Sequence, residues 1–458
     1  MTICDPSLPT VGAEWQRERV QSFKLLGRSY RDGVVRLEYA FDDGPIMVET
    51  LRFPDAPAQF PAERAAACDA ALALLHGIAG VSYYKAAVPA AISVDGAGFD
   101  QGLASLLDEI YLHGLGEFAH QNQLDLRGRI QFPSIKPSEP KAPALGLPRR
   151  ALVPIGGGKD SLVSIETLKA LNEPITVTWV GRSELIRACA LATGQPTLNI
   201  EREIASELFE LNRLGAFNGH IPVTAINSAI LTLAAMIYGY DEIVFSNEAS
   251  ASVGNFHSDG FEVNHQWSKG LRFERLFDDY LRDYVAADLR YYSLLRPLSE
   301  LGVTERFSRL NAYHPIFSSC NRNFRIRGER PSQRWCGQCP KCHFVFLALA
   351  PFMSKPSLLG IFGRNLLDEA DAIPGFDALI EFGAHKPFEC VGEARESRAA
   401  LFALCQRADW REDAIVRRFT DEVLAHIDRS TLELAPLLVP IDEHRLPARL
   451  VQVFGVPV

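Results

Sequence analysis

Between Val20 and about Phe53 apolar and polar residues alternate, most plainly in "VVRLEYAF" and "PIMVETLRF", with a polar "DDG" between them. A period of two, rich in β-branched and aromatic residues, predicts strands. From Pro61 to about Gln123 the period lengthens, and "AERAAACDAALALLHGIAG" and "LASLLDEIYLHGLGEFAHQ" predict helices. The stretch "FPSIKPSEPKAPALGLPRR" then carries five prolines and no apolar period. It predicts a linker over residues 136–148, after an α+β domain over residues 1–135.

Beyond the linker, short apolar runs alternate with helical patterns. "ALVPI" precedes three glycines, "DSLVSIETLKAL" follows as a helix ending before Pro174, and "ITVTWV" pairs with "SELIRACALATG". "PTLNI", "VTAINSAILTLAAMIYG" and "EIVFSN" continue the series. Such alternation predicts an α/β domain over residues 149–352, with a parallel sheet and ligands at the carboxyl ends of its strands. Residues 353–458 read as mostly helical, and no internal repeat is evident.

Composition narrows the class. The 458 residues, 47% of them hydrophobic, can fill the cores of two or three domains. No run of about 18 apolar residues offers a membrane span. The opening "MTICDPSLPTVGAEWQRERV" lacks the basic-then-apolar order of a signal peptide. Nine cysteines, three of them in "CGQCPKCH", suit a reducing cytoplasm and a metal better than disulfides. A net charge of −9 argues against a nucleic-acid partner, although the basic "NRNFRIRGER" (Asn321 to Arg330) suits a phosphorylated small molecule. Nothing in the pattern bears on oligomeric state.

"VPIGGGKDSLVSIETL" (Val153 to Leu168) carries the first chemistry. A Walker A loop needs a glycine four residues before its Gly-Lys pair and a Ser or Thr after the lysine; here those places hold Val153 and Asp160. Gly156, Gly157 and Gly158 still let the backbone turn and present bare N–H groups to an anion, at a helix opening at about Asp160. Lys159 supplies a mobile cation and Ser161 a hydroxyl. Asp160 would repel phosphate, so it fits as a helix cap or as a partner of Mg²⁺.

Cys336, Cys339 and Cys342 form C-x₂-C-x₂-C, and Cys320 lies upstream. Four thiolates at such spacing suit a tetrahedral, structural Zn²⁺, with His343 as a substitute ligand and an iron–sulfur cluster as the alternative. After the strand "EIVFSN", Asn247, Glu248, Ser250 and Asn255 stand where an α/β sheet offers its crevice, and the alternative is an ordinary polar turn. "EVNHQWSKG" sets His265, Gln266, Trp267, Ser268 and Lys269 side by side, a mix suited to substrate contact. Tyr83, Tyr84 and Lys85 suit either closure over substrate or a buried aromatic pair.

"GGGKDS" resembles the "SGGKDS" loop of the PP-loop ATP pyrophosphatases, with Gly156 in place of the usual Ser. The resemblance implies ATP, with Mg²⁺, cleaved between its α and β phosphates. Gly156, Gly157, Gly158, Lys159, Asp160 and Ser161 would hold pyrophosphate, and the strand end at Thr178 would lie by adenine. "SSC…CGQCPKC" is similar to the zinc-binding end of 7-cyano-7-deazaguanine synthase. The whole set, with "NEASASVGN", "NHQWSKG" and the late "KPFECVG", resembles the UDP-N-acetylmuramoyl-L-alanyl-L-glutamate epimerase family of peptidoglycan synthesis. That implies a UDP-sugar-peptide substrate, an acyl-adenylate at its glutamate, and a base that moves the α-proton. His265 needs the least perturbation for that role; Lys269 and Cys390 are the other choices. One rival reading is a PP-loop enzyme whose adenylate meets a nitrogen or sulfur nucleophile, as in an amide ligase; the other is a non-catalytic nucleotide-sensing protein whose zinc unit is an interaction module.

Overall fold

The structure is a computed structural model, and it describes residues 15–455 except 97, 137–141, 259 and 325–329. Cys4, most of the opening segment and the middle of the basic stretch 321–330 lie outside the described residues.

The chain forms an α/β fold. In chain order, β1 (Ser22–Arg31), β2 (Val34–Phe41) and β3 (Met47–Arg52) are antiparallel neighbours, and β4 (Ala91–Val94) runs parallel to β1. Next come β5 (Ala151–Pro154), β6 (Ile175–Val180), β7 (Thr197–Glu203), β8 (Glu242–Phe245) and β9 (Arg290–Ser293). Five helices matter below: α1 (Ala65–Ala79), α2 (Lys159–Ala170), α3 (Val223–Tyr238), α4 (Glu300–Phe307) and α5 (Pro340–Leu349).

The contacts divide the chain into two compact units. The first holds residues 1–152, 198–243 and 273–291, and the second holds 153–197, 244–272 and 292–458. In the first unit the strands stand in the order β7-β3-β2-β1-β4. Every second residue of β3, from Met47 to Leu51, is buried, the expected result of a period of two on a sheet with one covered face. Helix α1 packs on α3, and both are apolar almost all round. The helical run Ala62–Tyr84 is long and apolar enough to cross a membrane, but 72% of its most apolar window is buried inside the fold. Its apolarity is therefore used in packing, since a central helix meets protein on every side. The proline-rich linker keeps structure too: the N–H groups of Leu145, Gly146 and Leu147 all donate to the Asp288 carboxylate.

The remaining strands stand in the order β9-β8-β5-β6, with β8 parallel to β5 through Glu242 opposite Ala151. All four residues of β8 are buried, as strands covered on both faces must be. The last residues of β5, β8 and β9, namely Pro154, Phe245 and Ser293, belong to the second unit along with all of β6. The second unit thus owns the carboxyl ends at which α/β sheets offer ligand sites.

Candidate active site

The loop after β5 is built by three glycines under different constraints. Gly157 has φ +78°, and a Cβ there would lie 2.9 Å from Leu185 Cδ2. At Gly158 a Cβ would lie 2.6 Å from Ser319 Oγ, so that position accepts no side chain without movement. Gly156 faces open space, with nothing within 4 Å of such a Cβ. The backbone is held from outside: Ser318 N–H donates to the Gly157 carbonyl at 2.9 Å. Helix α2 opens at Lys159 with Gly158 as its N-cap and no side chain capping it. Its first N–H groups are left for an anion.

This corrects two expectations. Asp160 does not cap the helix; its carboxylate pairs with Lys159. Nor is Lys159 mobile, for it is fully buried and also pairs with Glu300 at the start of α4. Burial works against the Lys159 charge, yet Asp160, Glu300 and Glu248 raise its pKa overall. Lys341 approaches the other Glu300 oxygen at 3.5 Å. Burial alone would raise Glu300, but the two lysines bring it down to about 2. Glu248 is pushed the other way, up to about 8, by burial and then by the Glu300 and Asp160 carboxylates. Crowded carboxylates of this kind would be relieved by a divalent cation.

Cys390 lies in the same unit, on the late "KPFECVG" segment. Its Sγ is 3.1 Å from Lys269 Nζ and hydrogen-bonds with His265. Burial would raise this thiol, but Lys269 and then His265 bring it down to about 5. Lys269 in turn is raised despite its burial, by Cys390 and Glu248. The three residues suggested as alternative bases are therefore one cluster: a thiolate, an ammonium and an imidazole. Asn255 ties together the two segments that carry it, accepting from the His265 backbone N–H at 2.9 Å and donating to the Pro387 carbonyl at 3.2 Å. Gln266 donates to Val391 O at 3.4 Å, and Trp267 and Ser268 are buried.

Other expected residues sit as follows. Asn247 is buried and donates to Ser293 Oγ at 3.0 Å, while Ser250 Oγ accepts from Glu300 N–H. Thr178 is buried in β6, and its hydroxyl has no partner among the described residues. Ser161 Oγ turns back to the Gly158 carbonyl at 3.3 Å. Tyr83, Tyr84 and Lys85 belong to the first unit, where both tyrosines are fully buried. The Tyr83 hydroxyl donates to Glu49, the Tyr84 hydroxyl to Pro89 O, and Lys85 to Asn218 Oδ1. Sequence reasoning missed Glu300, Lys341 and Arg296. Glu300 follows the N-cap Ser299 and looks like an ordinary first-turn acid; nothing local announces that it faces Lys159. Arg296 is buried and donates to the carbonyls of Glu248 and Lys269, tying the two polar segments together.

The cysteines converge. Cys320, Cys336, Cys339 and Cys342 place their sulfurs within 4.8 Å of one another, with Cys342 Sγ 3.7 Å from Cys336 and 3.4 Å from Cys339. Tetrahedral Zn²⁺ with bonds of about 2.3 Å spaces its sulfurs by roughly 3.8 Å, so one such ion fits. A cluster of several irons would hold the sulfurs further apart. His343 is not a fourth ligand: its Nε2 meets the Gly337 carbonyl at 3.1 Å and its ring stacks on Phe376.

Fold and site together define a class: an α/β protein whose second unit holds a glycine loop opening a helix and a buried Cys390–Lys269 contact. Comparison with known families places it further. The family model of the MurL N-terminal domain matches residues 14–294, and that of the MurL C-terminal domain matches residues 316–433. A UDP-N-acetyl-α-D-muramoyl-L-alanyl-L-glutamate epimerase of Xanthomonas oryzae pv. oryzae is 59% identical over 95% of this chain and 97% of its own. Epimerases of the same name from Salinispora tropica and a Micromonospora species are each 40% identical, over 89% and 82% of this chain and 90% and 83% of theirs. The chain belongs to the MurL family.

Proposed function

We propose that this protein epimerises the glutamate of UDP-N-acetylmuramoyl-L-alanyl-L-glutamate in peptidoglycan precursor synthesis, with ATP consumed to AMP and pyrophosphate. The relatives' shared name supports the substrate. The observation that carries the chemistry is the thiolate–ammonium contact of Cys390 and Lys269 in the unit that also holds the glycine loop.

A glutamate α-hydrogen is hard to remove while an ionised carboxylate stands beside it, because developing charge meets existing charge. Joining that carboxyl oxygen to the α-phosphorus of ATP, with release of pyrophosphate, removes the charge and makes the carbonyl an electron sink. Gly156, Gly157 and Gly158 would direct N–H groups at the departing pyrophosphate, with the uncapped end of α2 behind them. Asp160 and Glu248 would hold the accompanying Mg²⁺, whose chemistry is to neutralise phosphate charge. Thr178, with its unpartnered hydroxyl, is the residue we place near adenine.

Cys390 then takes the α-proton as a thiolate, with Lys269 and His265 holding its charge, and a proton is returned to the opposite face of the planar carbon. Water attacks the acyl carbon, AMP leaves, and the D-glutamyl product remains. Zn²⁺ on the four cysteines has no open position and so serves structure. The test is product analysis after incubation with ATP and UDP-N-acetylmuramoyl-L-alanyl-L-glutamate. Unchanged mass, D-glutamate on hydrolysis, and AMP in step with turnover are expected. A product carrying added nitrogen or sulfur would overturn the reading.

A further inference from the structure

Lys386 opens the "KPFECVG" segment and is only 8% exposed. It makes no hydrogen bond or ion pair among the described residues, and its ammonium is not among the fully enclosed polar atoms, so the buried stem leaves the charge open to the space beside it. Burial lowers its pKa, partly offset by the more distant carboxylates of Glu393, Glu396, Glu381 and Glu248. Instead of protein, Lys386 faces a cavity of about 520 Å³. Its wall is Asn255, Glu381, Gly383, Ala384, His385 and Lys386.

That cavity is fixed to the thiolate cluster at two points. Asn255 lines it while bonding to His265 N–H and to the Pro387 carbonyl. Cys390 follows Lys386 by four residues on the same segment. A cation with no protein partner that opens onto a cavity is placed to meet an oxyanion. Glu381 is the only acid among the described residues of that wall and is itself exposed, so water screens its repulsion.

We infer that Lys386 is the anion-binding residue of a substrate subsite in this cavity, which takes a carboxylate or phosphate of the molecule whose α-carbon meets Cys390. This rests on the epimerase reading, whose substrate offers two such groups: the glutamate side-chain carboxylate and the UDP diphosphate. Either would anchor the substrate without joining the proton transfer, so binding should suffer more than turnover.

The experiment measures calorimetric binding of UDP-N-acetylmuramoyl-L-alanyl-L-glutamate without ATP, and KM and kcat with it, for wild type, Lys386→Met and Lys386→Arg. Lys386→Met should weaken binding and raise KM by about tenfold or more, with kcat within about threefold, and Lys386→Arg should recover most of the loss. Removing a charge that has no protein partner should not lower the melting temperature, and Lys386→Gln replaces the methionine variant if that one fails to fold. Two arms separate the sources. If the side-chain carboxylate is the ligand, a glutamine-containing substrate binds wild type as weakly as the true substrate binds Lys386→Met. If the diphosphate is the ligand, UDP alone loses affinity for Lys386→Met by the same factor. Unchanged binding of both substrate and UDP in Lys386→Met overturns the inference. Wild type that binds the substrate tightly but never epimerises it would instead defeat the epimerase reading, while the Lys386 comparison is still read from binding.

Discussion

At the scale of single residues, Cys390 shows how one sequence position acquires reactivity from others far along the chain. A cysteine buried among apolar groups has its thiol raised, as Cys68 and Cys189 do, to about 12 and about 11. Cys390 meets Lys269 and His265, and falls to about 5. Its thiolate is therefore present above pH 5 and lost as the pH drops through that value. Alkylation by iodoacetamide should show a component with a midpoint near pH 5 that vanishes in Cys390→Ser. In Lys269→Met the same component should move up by at least one unit, since the nearest opposite charge is gone. Peptide mass mapping of the alkylated site against pH checks both statements; a midpoint near that of a free cysteine in wild type would remove the case for Cys390 as base. No single-residue signal gave this away in the sequence. Histidine has the nearest unperturbed pKa and so comes first on chemistry alone, whereas the fold brings Lys269 and His265 against the Cys390 sulfur, where their charge favours its thiolate.

At the scale of elements, the cysteine cluster and the glycine loop share a strut. Ser318 N–H holds the Gly157 carbonyl, Ser318 Oγ donates to Arg334 O at 2.7 Å, and Cys320 N–H donates to Ser318 Oγ at 3.1 Å. The segment that supplies the first sulfur therefore also braces the loop from behind. We expect one Zn²⁺ per chain by elemental analysis of reduced protein. Its removal by chelation, or Cys336→Ser, should speed hydrogen exchange in residues 156–161 as well as around the cysteines. Faster exchange confined to the cysteines would show that the strut does not couple them. Much of this level was legible beforehand. The strand, glycine loop and helix of 151–170 are a local pattern, and so is C-x₂-C-x₂-C. The strut was not, because Ser318 reaches Gly157 across a long stretch of sequence, and apolar periodicity reports only which face of an element is covered.

On the scale of the whole molecule, the second unit is assembled from three separate stretches, 153–197, 244–272 and 292–458. Lys159, Glu248, Lys269, Glu300 and Cys390 come from all three, and charge couples them within one buried network. A division of the chain into successive blocks follows proline content and period, and it has no means of seeing such interleaving. The coupling itself suggests a consequence for catalysis. Lys269 is raised by both Cys390 and Glu248, so it links the thiolate cluster to the carboxylates beside the loop. If adenylation exists to acidify the α-carbon, hydrogen exchange at that carbon must depend on ATP. In D₂O, enzyme with ATP should place deuterium at the glutamate α-carbon and form AMP, while an α,β-bridged ATP analogue that cannot be cleaved should support neither. Cys390→Ser should still release pyrophosphate but lose most of the deuterium, a loss of 10²-fold or more for an acid–base residue on the order expected. Asp160→Asn should lose both together. It is a cleaner loop variant than Lys159→Ala, which would leave the buried Glu300 with only Lys341 at 3.5 Å and so cost stability. Deuterium at the α-carbon without ATP, read by mass spectrometry of the recovered substrate, would sink the adenylate route and leave the thiolate to act on an unactivated carboxylate.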